Sequence, residues 1–189
     1  MIINKQELHD CLEYEQKWYE NYMFKTPKRK FFARLKSEPF YRIMHWQKVS
    51  RLTDYYHYKS CNKGSFLSKL LYLFYVRRLN LLSERMGLEI GTENIGKGLV
   101  VYHYNNVVNG QSKIGNNLHL HGGNVIGNAG PQDPRCPTIG DNVMLGAGAK
   151  VIGNVTIADD IKIAAGAVVV SSFETPGITI AGIPAKRVK

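Results

Sequence analysis

Residues 139–169 read IGDNVMLGAGAKVIGNVTIADDIKIAAGAVV, and an aliphatic side chain returns every six residues along this stretch. The repeated positions are Ile139, Leu145, Val151, Ile157, Ile163 and Val169. A period of six fits neither the 3.6 residues of an α-helical turn nor the alternation of two that marks an ordinary strand. The pattern predicts a β-solenoid, in which each repeat forms one short strand and one corner and the aliphatic side chains stack inside.

Two shorter runs with the same period precede this stretch. They are Ile95, Val101 and Val107, and then Ile114, Leu120 and Ile126. A Gly or Ala often follows the aliphatic residue, and such a small residue lets the backbone bend at a corner. Three repeats close one coil of 18 residues. The register therefore predicts four coils, with one extra residue after the first of them, at 95–112, 114–131, 139–156 and 157–174.

An excursion interrupts the repeats at 128–138, where the sequence is NAGPQDPRCPT. Prolines close together, with Gly and Asp between them, are typical of a loop, so we expect this segment to leave the solenoid. The alternative fold is an ordinary sandwich of short strands. That fold would show strict alternation of apolar and polar residues, with hairpin turns every 8–12 residues.

The charge of the chain is concentrated in its front half. The 189 residues carry a formal net charge of +10, and residues 1–87 hold 17 Lys and Arg against eight Asp and Glu. The first residues lack the apolar core of a signal peptide, and no apolar stretch approaches the ~20 residues that span a bilayer. The three cysteines, Cys11, Cys61 and Cys136, have no metal-like spacing. These features predict a cytoplasmic, reduced protein.

The front half, 1–87, is predicted to be a basic, aromatic-rich helical region. We expect a helix from Asn4 to Tyr22, a break at Thr26-Pro27, one or two short helices separated near Pro39, and a long helix over Ser65–Met86. The last helix carries a predicted apolar face. Its members are Leu67, Leu70, Leu71, Phe74, Leu81, Leu82 and Met86. The basic charge has three open explanations: a solvated face, attraction to an anionic membrane surface at the cytoplasmic side, or binding of nucleic acid. Nucleic acid is disfavoured because no recognised nucleic-acid-binding module is present.

Residues 88–189 resemble the left-handed β-helix acyltransferases, and most closely the serine acetyltransferases and their relatives that O-acetylate capsular polysaccharides. The resemblance rests on four segments. They are IGKGLVVYH at 95–103, LHGGNVIG at 120–127, RCPTIGDNVMLGAGAKVIGN at 135–154, and AGIPAK at 181–186. The fold that the resemblance implies is mainly β: a left-handed parallel β-helix of about four coils, preceded by the helical region.

The activity that the resemblance implies is transfer of an acetyl group from acetyl-CoA to a hydroxyl, without a metal. His103 matches the catalytic histidine of the family, and a histidine of near-neutral pKa is a suitable base for a hydroxyl. Glu89 is the carboxylate nearest to the position of the family's orienting aspartate. His121 falls where related enzymes hold a His or Gln near the thioester. His119 and His121 could also suggest a metal pair, but two ligands on one strand are weak grounds for a zinc site.

The sequence departs from the serine enzymes at the positions that hold the acceptor. Tyr102 replaces an Asp before the catalytic histidine, and Cys136 replaces a loop histidine, although the neighbouring Arg135 is kept. The ammonium and carboxylate groups of a bound amino acid would then be poorly paired, and an unpaired charge in a buried site is unfavourable in free energy. We therefore expect a sugar hydroxyl as acceptor, in capsular or exopolysaccharide biosynthesis, with L-serine as the alternative.

Small residues and cations are the candidates for holding the donor, because the resemblance implies a groove for a thin pantetheine arm that ends in phosphates. The candidates are Gly127, Ala147, Gly148, Lys150, Ala165, Gly166, Lys186 and Arg187. The resemblance also implies a homotrimer with a site between neighbouring subunits. Two alternatives lie outside the enzyme class. One is an inactive trimeric solenoid scaffold, and the other is a basic protein that binds nucleic acid or a membrane surface and that the solenoid merely trimerises.

Overall fold

The computed structural model describes residues 2–62 and 64–189. The chain divides into two compact units, one ending at Met86 and one beginning at Gly87. The first unit is helical. Its helices are α1 (Lys5–Tyr19), which continues into a π-helical turn (Glu20–Phe24), α2 (Pro27–Leu35), α3 (Pro39–Asn62) and α4 (Phe66–Met86). Asn4 caps α1 by accepting the Glu7 N–H, and Thr26 caps α2 in the same way, so the predicted break at Thr26-Pro27 is confirmed.

Helix α3 is longer than the sequence predicts. It runs for 24 residues from Pro39, with no second break before Asn62. Pro39 begins the helix because a residue in the first turn has no intrahelical partner for its N–H, so that a proline costs little there. The expectation of one or two short helices is therefore wrong beyond Pro39.

Part of the predicted apolar face of α4 is exposed, whereas Leu71 and Leu82 are half-buried and Met86 is buried. The exposed large side chains are Phe66, Leu67, Leu70, Leu73, Phe74 and Leu81. The opposite face packs on α3, where Tyr75 stacks on Tyr56 with ring centroids 5.2 Å apart and Ser83 accepts a hydrogen bond of 2.8 Å from the Trp46 indole. An aromatic pair and a hydroxyl hydrogen bond therefore contribute to the contact between α4 and α3.

A charged group lies at the centre of the helical unit. The Arg51 guanidinium is 2% exposed and donates to Glu15 Oε1 over 2.7 Å. Burial raises the pKa of the neighbouring Cys11 thiol to about 12, so this cysteine is protonated at neutral pH. Within the part of the chain that is described, none of the helices has the length and apolar character needed to cross a bilayer.

The second unit is built from very short strands that belong to three sheets. In chain order they are β1 (Leu88–Ile90), β2 (Val100–Val101), β3 (Asn106–Val108), β4 (Lys113–Ile114), β5 (His119–Leu120), β6 (Val125–Gly127), β7 (Thr138–Ile139), β8 (Met144–Leu145), β9 (Lys150–Ile152), β10 (Thr156–Ile157), β11 (Lys162–Ile163), β12 (Val168–Val169), β13 (Thr179–Gly182) and β14 (Ala185–Arg187). Their orders are β1-β3-β6-β9-β12, β4-β7-β10 and β2-β5-β8-β11-β13-β14.

The strands pair with the equivalent strand of the next coil and not with their chain neighbours. Leu120, for example, pairs in parallel with Leu145, and only β13 and β14 form an antiparallel pair among these strands. This topology excludes the sandwich alternative, which needs hairpins between consecutive strands. The chain passes from sheet to sheet in turn, as a solenoid of hexapeptide repeats requires.

The repeated aliphatic side chains form the core of this unit, with one exception. Leu120, Leu145 and Val151 are fully buried, whereas Val107 is 38% exposed and its neighbour Val108 is 2% exposed. The extra residue of the first coil therefore lies before β3 and not after it. The corner that it lengthens is the one that carries His103.

Candidate active site

Corners of successive coils stack into a column that begins beside His103. The first corner follows β2, and the corners that follow β5, β8 and β11 lie beneath it in turn. Backbone hydrogen bonds join them: Gly123 N–H to Tyr104 O at 3.2 Å, Gly148 N–H to Gly122 O at 2.8 Å, and Gly166 N–H to Ala147 O at 2.8 Å. We call Gly122–Gly123, Ala147–Gly148 and Ala165–Gly166 the corner column. Neighbouring strands lie about 4.8 Å apart, so the distance from His103 to the last corner is roughly 14 Å.

The His103 corner is one residue longer than the corners stacked on it. Three residues separate Tyr102 from Asn106, whereas two separate His121 from Asn124 in the next coil. Asn105 absorbs the extra length in a left-handed conformation with φ of 62°. The longer corner leaves His103 exposed to solvent at the head of the column.

Gly122 lies directly against His103. A Cβ atom added at Gly122 would stand 2.7 Å from the Cβ of His103, closer than two carbon atoms can approach. The φ of Gly122 is +115°, a conformation that other residues rarely adopt. Glycine at this position therefore allows the imidazole to lie over the next coil. Gly122 is not among the site residues predicted from the sequence, although its place in the His-Gly-Gly segment was a usable signal.

Two buried asparagines hold the corner in place. Asn106 donates to the backbone carbonyl of His103 over 2.7 Å, and its Oδ1 accepts the Asn124 N–H over 3.1 Å. The Asn124 side chain in turn accepts the Gly122 N–H and donates to Gly146 O over 2.7 Å. Both asparagines are fully buried. Neither asparagine is among the residues predicted from the sequence, although their separation by 18 residues, the length of one coil, was a signal.

Replacement of Asn124 by alanine should destabilise the protein. The change leaves the Gly122 N–H without its partner, whereas the Gly146 carbonyl keeps the Ala149 N–H as a second donor. A buried unsatisfied polar group costs about 1–3 kcal/mol. Thermal or urea unfolding monitored by circular dichroism measures the loss. The matched control is Asn154→Ala at an exposed position. Equal stability of the two variants would contradict this account of the corner.

An aromatic and two histidines form a cluster next to His103. The Tyr102 ring stacks on His121 with centroids 4.3 Å apart, and its hydroxyl lies 3.2 Å from His119 Nδ1. Burial lowers the pKa of His121, and the charge of His103 lowers it further. Burial also lowers the pKa of His119, together with the charge of His121. Both imidazoles are therefore neutral at pH 7.

The predicted carboxylate partner of His103 is not brought to it. Glu89 lies on β1, where its register partner is Val107 on β3, and its side chain is exposed. It makes no side-chain hydrogen bond or ion pair with any other described residue. Across residues 2–62 and 64–189, no three His, Cys, Asp or Glu side chains come together in a group that could hold a metal ion.

The excursion loop carries the other two acceptor candidates. It joins β6 to β7, and Arg135 in it is held by Asp133 through two hydrogen bonds of 2.7 and 2.9 Å. Cys136 is half-buried, with its thiol 3.6 Å from the Pro134 carbonyl. Both line an open cavity of about 410 Å³ together with Gln111, Lys113 and Asn154.

The donor candidates divide into two groups. Ala147, Gly148, Ala165 and Gly166 belong to the corner column, and the Lys150 ammonium lies 3.5 Å from the Gly148 carbonyl. Lys186 and Arg187 are exposed on β14, in the sheet that also contains β2 and β5. Gly127 does not share this column. It ends β6, and its carbonyl accepts the Gly153 N–H at a different corner, where the excursion loop begins.

Comparison with known proteins agrees with this architecture. The family model described as bacterial transferase hexapeptide (six repeats) matches residues 136–171. A comparison with curated proteins found no match. The serine acetyltransferase of Neisseria gonorrhoeae in complex with serine is 29% identical, with a TM-score of 0.69, over 98% of this chain and 70% of that one.

Two further solved structures are similar over nearly the whole chain. Serine acetyltransferase from Brucella abortus strain S19 is 25% identical with a TM-score of 0.71, over 97% of this chain and 69% of that one. A serine acetyltransferase in complex with CoA is 24% identical with a TM-score of 0.69, over 97% of this chain and 71% of that one. This last likeness concerns the fold alone. The repeat match and the structural likeness support an acyltransferase with hexapeptide repeats that is similar to the serine acetyltransferases.

Proposed function

We propose that the protein is an acetyl-CoA-dependent O-acetyltransferase with His103 as general base. The observation that carries the proposal is the lengthened corner, which holds an exposed imidazole at the head of a column of small residues. A long, thin donor can lie along such a column, because Gly and Ala side chains leave the backbone accessible. The likeness to a serine acetyltransferase at 29% identity supports the same class of reaction.

The reaction begins when His103 removes the proton from the acceptor hydroxyl as the oxygen attacks the thioester carbon. A tetrahedral intermediate forms, and its oxyanion needs a hydrogen-bond donor. We assign this role to His121, which lies next to His103 and whose lowered pKa keeps it neutral with one N–H. Collapse of the intermediate breaks the C–S bond. The proton held by His103 then passes to the leaving thiolate, so that the base is regenerated.

The donor is proposed to lie along the corner column. Its acetyl end would reach His103, and its phosphates would meet cations at the other end. The candidate cations are Lys150, Lys186 and Arg187, whose side chains are all exposed. Glu89 and Gly127 receive no role in this mechanism, because neither lies with the residues that carry it.

L-serine is the acceptor that the comparisons support. The structure of the Neisseria gonorrhoeae enzyme contains serine, and that enzyme covers nearly all of this chain. Arg135, which the resemblance places in the serine enzymes too, is present in the excursion loop. In this chain, however, Arg135 is engaged by Asp133, so a serine carboxylate would have to compete with that ion pair.

A sugar hydroxyl is the second candidate, and the position of Tyr102 favours it. Its hydroxyl bonds to His119 and its ring stacks on His121, so that an aromatic ring stands where the serine enzymes place a carboxylate. An aromatic ring can pack on the apolar face of a sugar, and it lacks the negative charge with which a carboxylate forms an ion pair with the ammonium group of an amino acid. A capsular or exopolysaccharide precursor is the acceptor class that fits this site.

Three finer features belong to the same proposal. The winding would be left-handed, the active assembly would be a homotrimer with each site between two subunits, and the excursion loop would reach the neighbouring site.

The protein would work in the cytoplasm, and contact with the inner face of the membrane would fit a lipid-linked acceptor. Exposed leucines and phenylalanines on α4 provide apolar surface for such contacts.

The acceptor is tested by incubating the protein with acetyl-CoA and either L-serine or a panel of sugars and nucleotide sugars. Free thiol release measures turnover, and mass spectrometry identifies the acetylated product. Turnover with serine alone supports the first candidate, and turnover with a saccharide alone supports the second. If no acceptor releases thiol and acetyl-CoA leaves the melting temperature unchanged, the inactive scaffold replaces the enzyme, since a bound donor must stabilise the folded state.

A further inference from the structure

A cavity of about 450 Å³ lies within the helical unit, between α1, α2 and α3. Its inner wall contains Tyr19, Gln47 and Glu15, each less than 5% exposed. Phe31 and Tyr41 supply aromatic surface nearer the mouth. The proposed acetyl transfer uses none of these residues. A cavity of this size is large enough for a small organic ligand.

Cations outnumber free carboxylates around this cavity. Lys30, Arg34 and Lys48 line it, and Lys30 is held by the Glu20 carboxylate. The lining carboxylate of Glu15 is neutralised by Arg51. In contrast, neither Arg34 nor Lys48 forms an ion pair with any carboxylate in residues 2–62 or 64–189. Two positive charges at the mouth are therefore available to an anion.

A third cation, the Arg78 guanidinium, reaches His45 from α4. Arg78 Nη2 lies 3.0 Å from His45 Nε2, and His45 lines the cavity. Burial lowers the pKa of His45, and the charges of Arg78, Lys48 and Arg34 lower it further. His45 is therefore neutral and accepts the Arg78 hydrogen bond. Cations from three helices thus converge on one imidazole, and their mutual repulsion would be relieved by a bound anion.

We propose that this cavity binds a phosphorylated ligand, with its phosphate between Arg34 and Lys48 and its apolar or aromatic part against Phe31 and Tyr41. Guanidinium groups match the geometry of phosphate oxygens, and an ammonium adds a compact charge. The same phosphate chemistry occurs in soluble diphosphates, such as nucleotide sugars, and in lipid headgroups. The inference concerns the helical unit and does not depend on the proposed acetyl transfer.

The experiment titrates the full chain with inorganic pyrophosphate by isothermal calorimetry, and separately measures co-sedimentation with phosphatidylcholine vesicles that contain or lack phosphatidic acid. The test variant carries both Arg34→Gln and Lys48→Gln. The matched control carries both Lys28→Gln and Lys36→Gln, which remove the same charge from exposed positions at the two ends of α2, outside the cavity. All four side chains are exposed, so both variants should fold.

We expect the test variant to lose on the order of tenfold or more in affinity, because two charge-assisted hydrogen bonds are removed, while the control stays close to the wild type. Selective loss of pyrophosphate binding indicates a soluble ligand. Selective loss of binding to phosphatidic acid vesicles, without pyrophosphate binding, indicates a lipid headgroup. Three results would overturn the proposal. The first is equal weakening of both variants, which would show diffuse charge attraction. The others are unchanged binding in the test variant and the absence of binding to either probe.

Discussion

Replacement of His103 by alanine should lower kcat by about 10²–10⁴-fold, which is the usual contribution of a positioned general base. The side chain is exposed at its corner, and the buried residues around it are unchanged, so the fold should survive. Acetyl-CoA should still raise the melting temperature of the variant, because the corner column is intact. Thiol release with the accepted acceptor measures the effect on turnover.

The control for this variant is His9→Ala, which removes another exposed imidazole, from α1 in the helical unit. We expect its kcat to match that of the wild type. If His103→Ala also keeps a near wild-type kcat, the base must be another residue, and His121 would be the next candidate because of its closeness to His103.

Replacement of Gly122 by alanine should lower kcat by about 10²-fold without removing any catalytic group. The new methyl group would stand 2.7 Å from the Cβ of His103, so the imidazole and its corner must shift. A displacement of about 1 Å at a catalytic group can cost two orders of magnitude in rate. The measurement is steady-state kinetics together with thermal unfolding.

Gly153→Ala is the matched control for Gly122→Ala. Gly153 also has a positive φ, of 90°, but its added Cβ would meet only the Ala129 side chain at an ordinary distance of 3.7 Å. Both variants should lose some stability from backbone strain. Only Gly122→Ala should lose turnover, and an equal fall of kcat in both would show that strain, rather than the contact with His103, causes the effect.

The period of six was sufficient to predict the solenoid unit, because buried aliphatic side chains leave a strong pattern in the sequence. The pattern could not place the extra residue of the first coil, since Val107 and Val108 are both aliphatic and only packing decides which one points inward. The helical unit was less predictable. Helix α4 has apolar residues on its exposed face and on its half-buried face, so the pattern did not show which face contacts α3 through Tyr75 and Ser83.

Candidate site residues could be named from the sequence where the chain resembles a known family, and less easily where their position depends on contacts particular to this chain. His103 could be named from its segment, but the asparagines that hold its corner act through buried hydrogen bonds that no periodicity records. Glu89 was predicted to partner His103 because it is the carboxylate closest in sequence to the position of the family's orienting aspartate. Closeness in sequence does not determine where a side chain points. Gly127 was grouped with the column because it is small, although it ends a strand at another corner.

A crystal structure of the protein with acetyl-CoA or its unreactive thioether analogue would test the proposed donor site directly. We expect the pantetheine arm to follow the corner column, with the acetyl carbonyl carbon close enough to His103 for an acceptor hydroxyl to fit between them. A donor bound away from this column, or with its acetyl group at a corner remote from His103, would contradict the account.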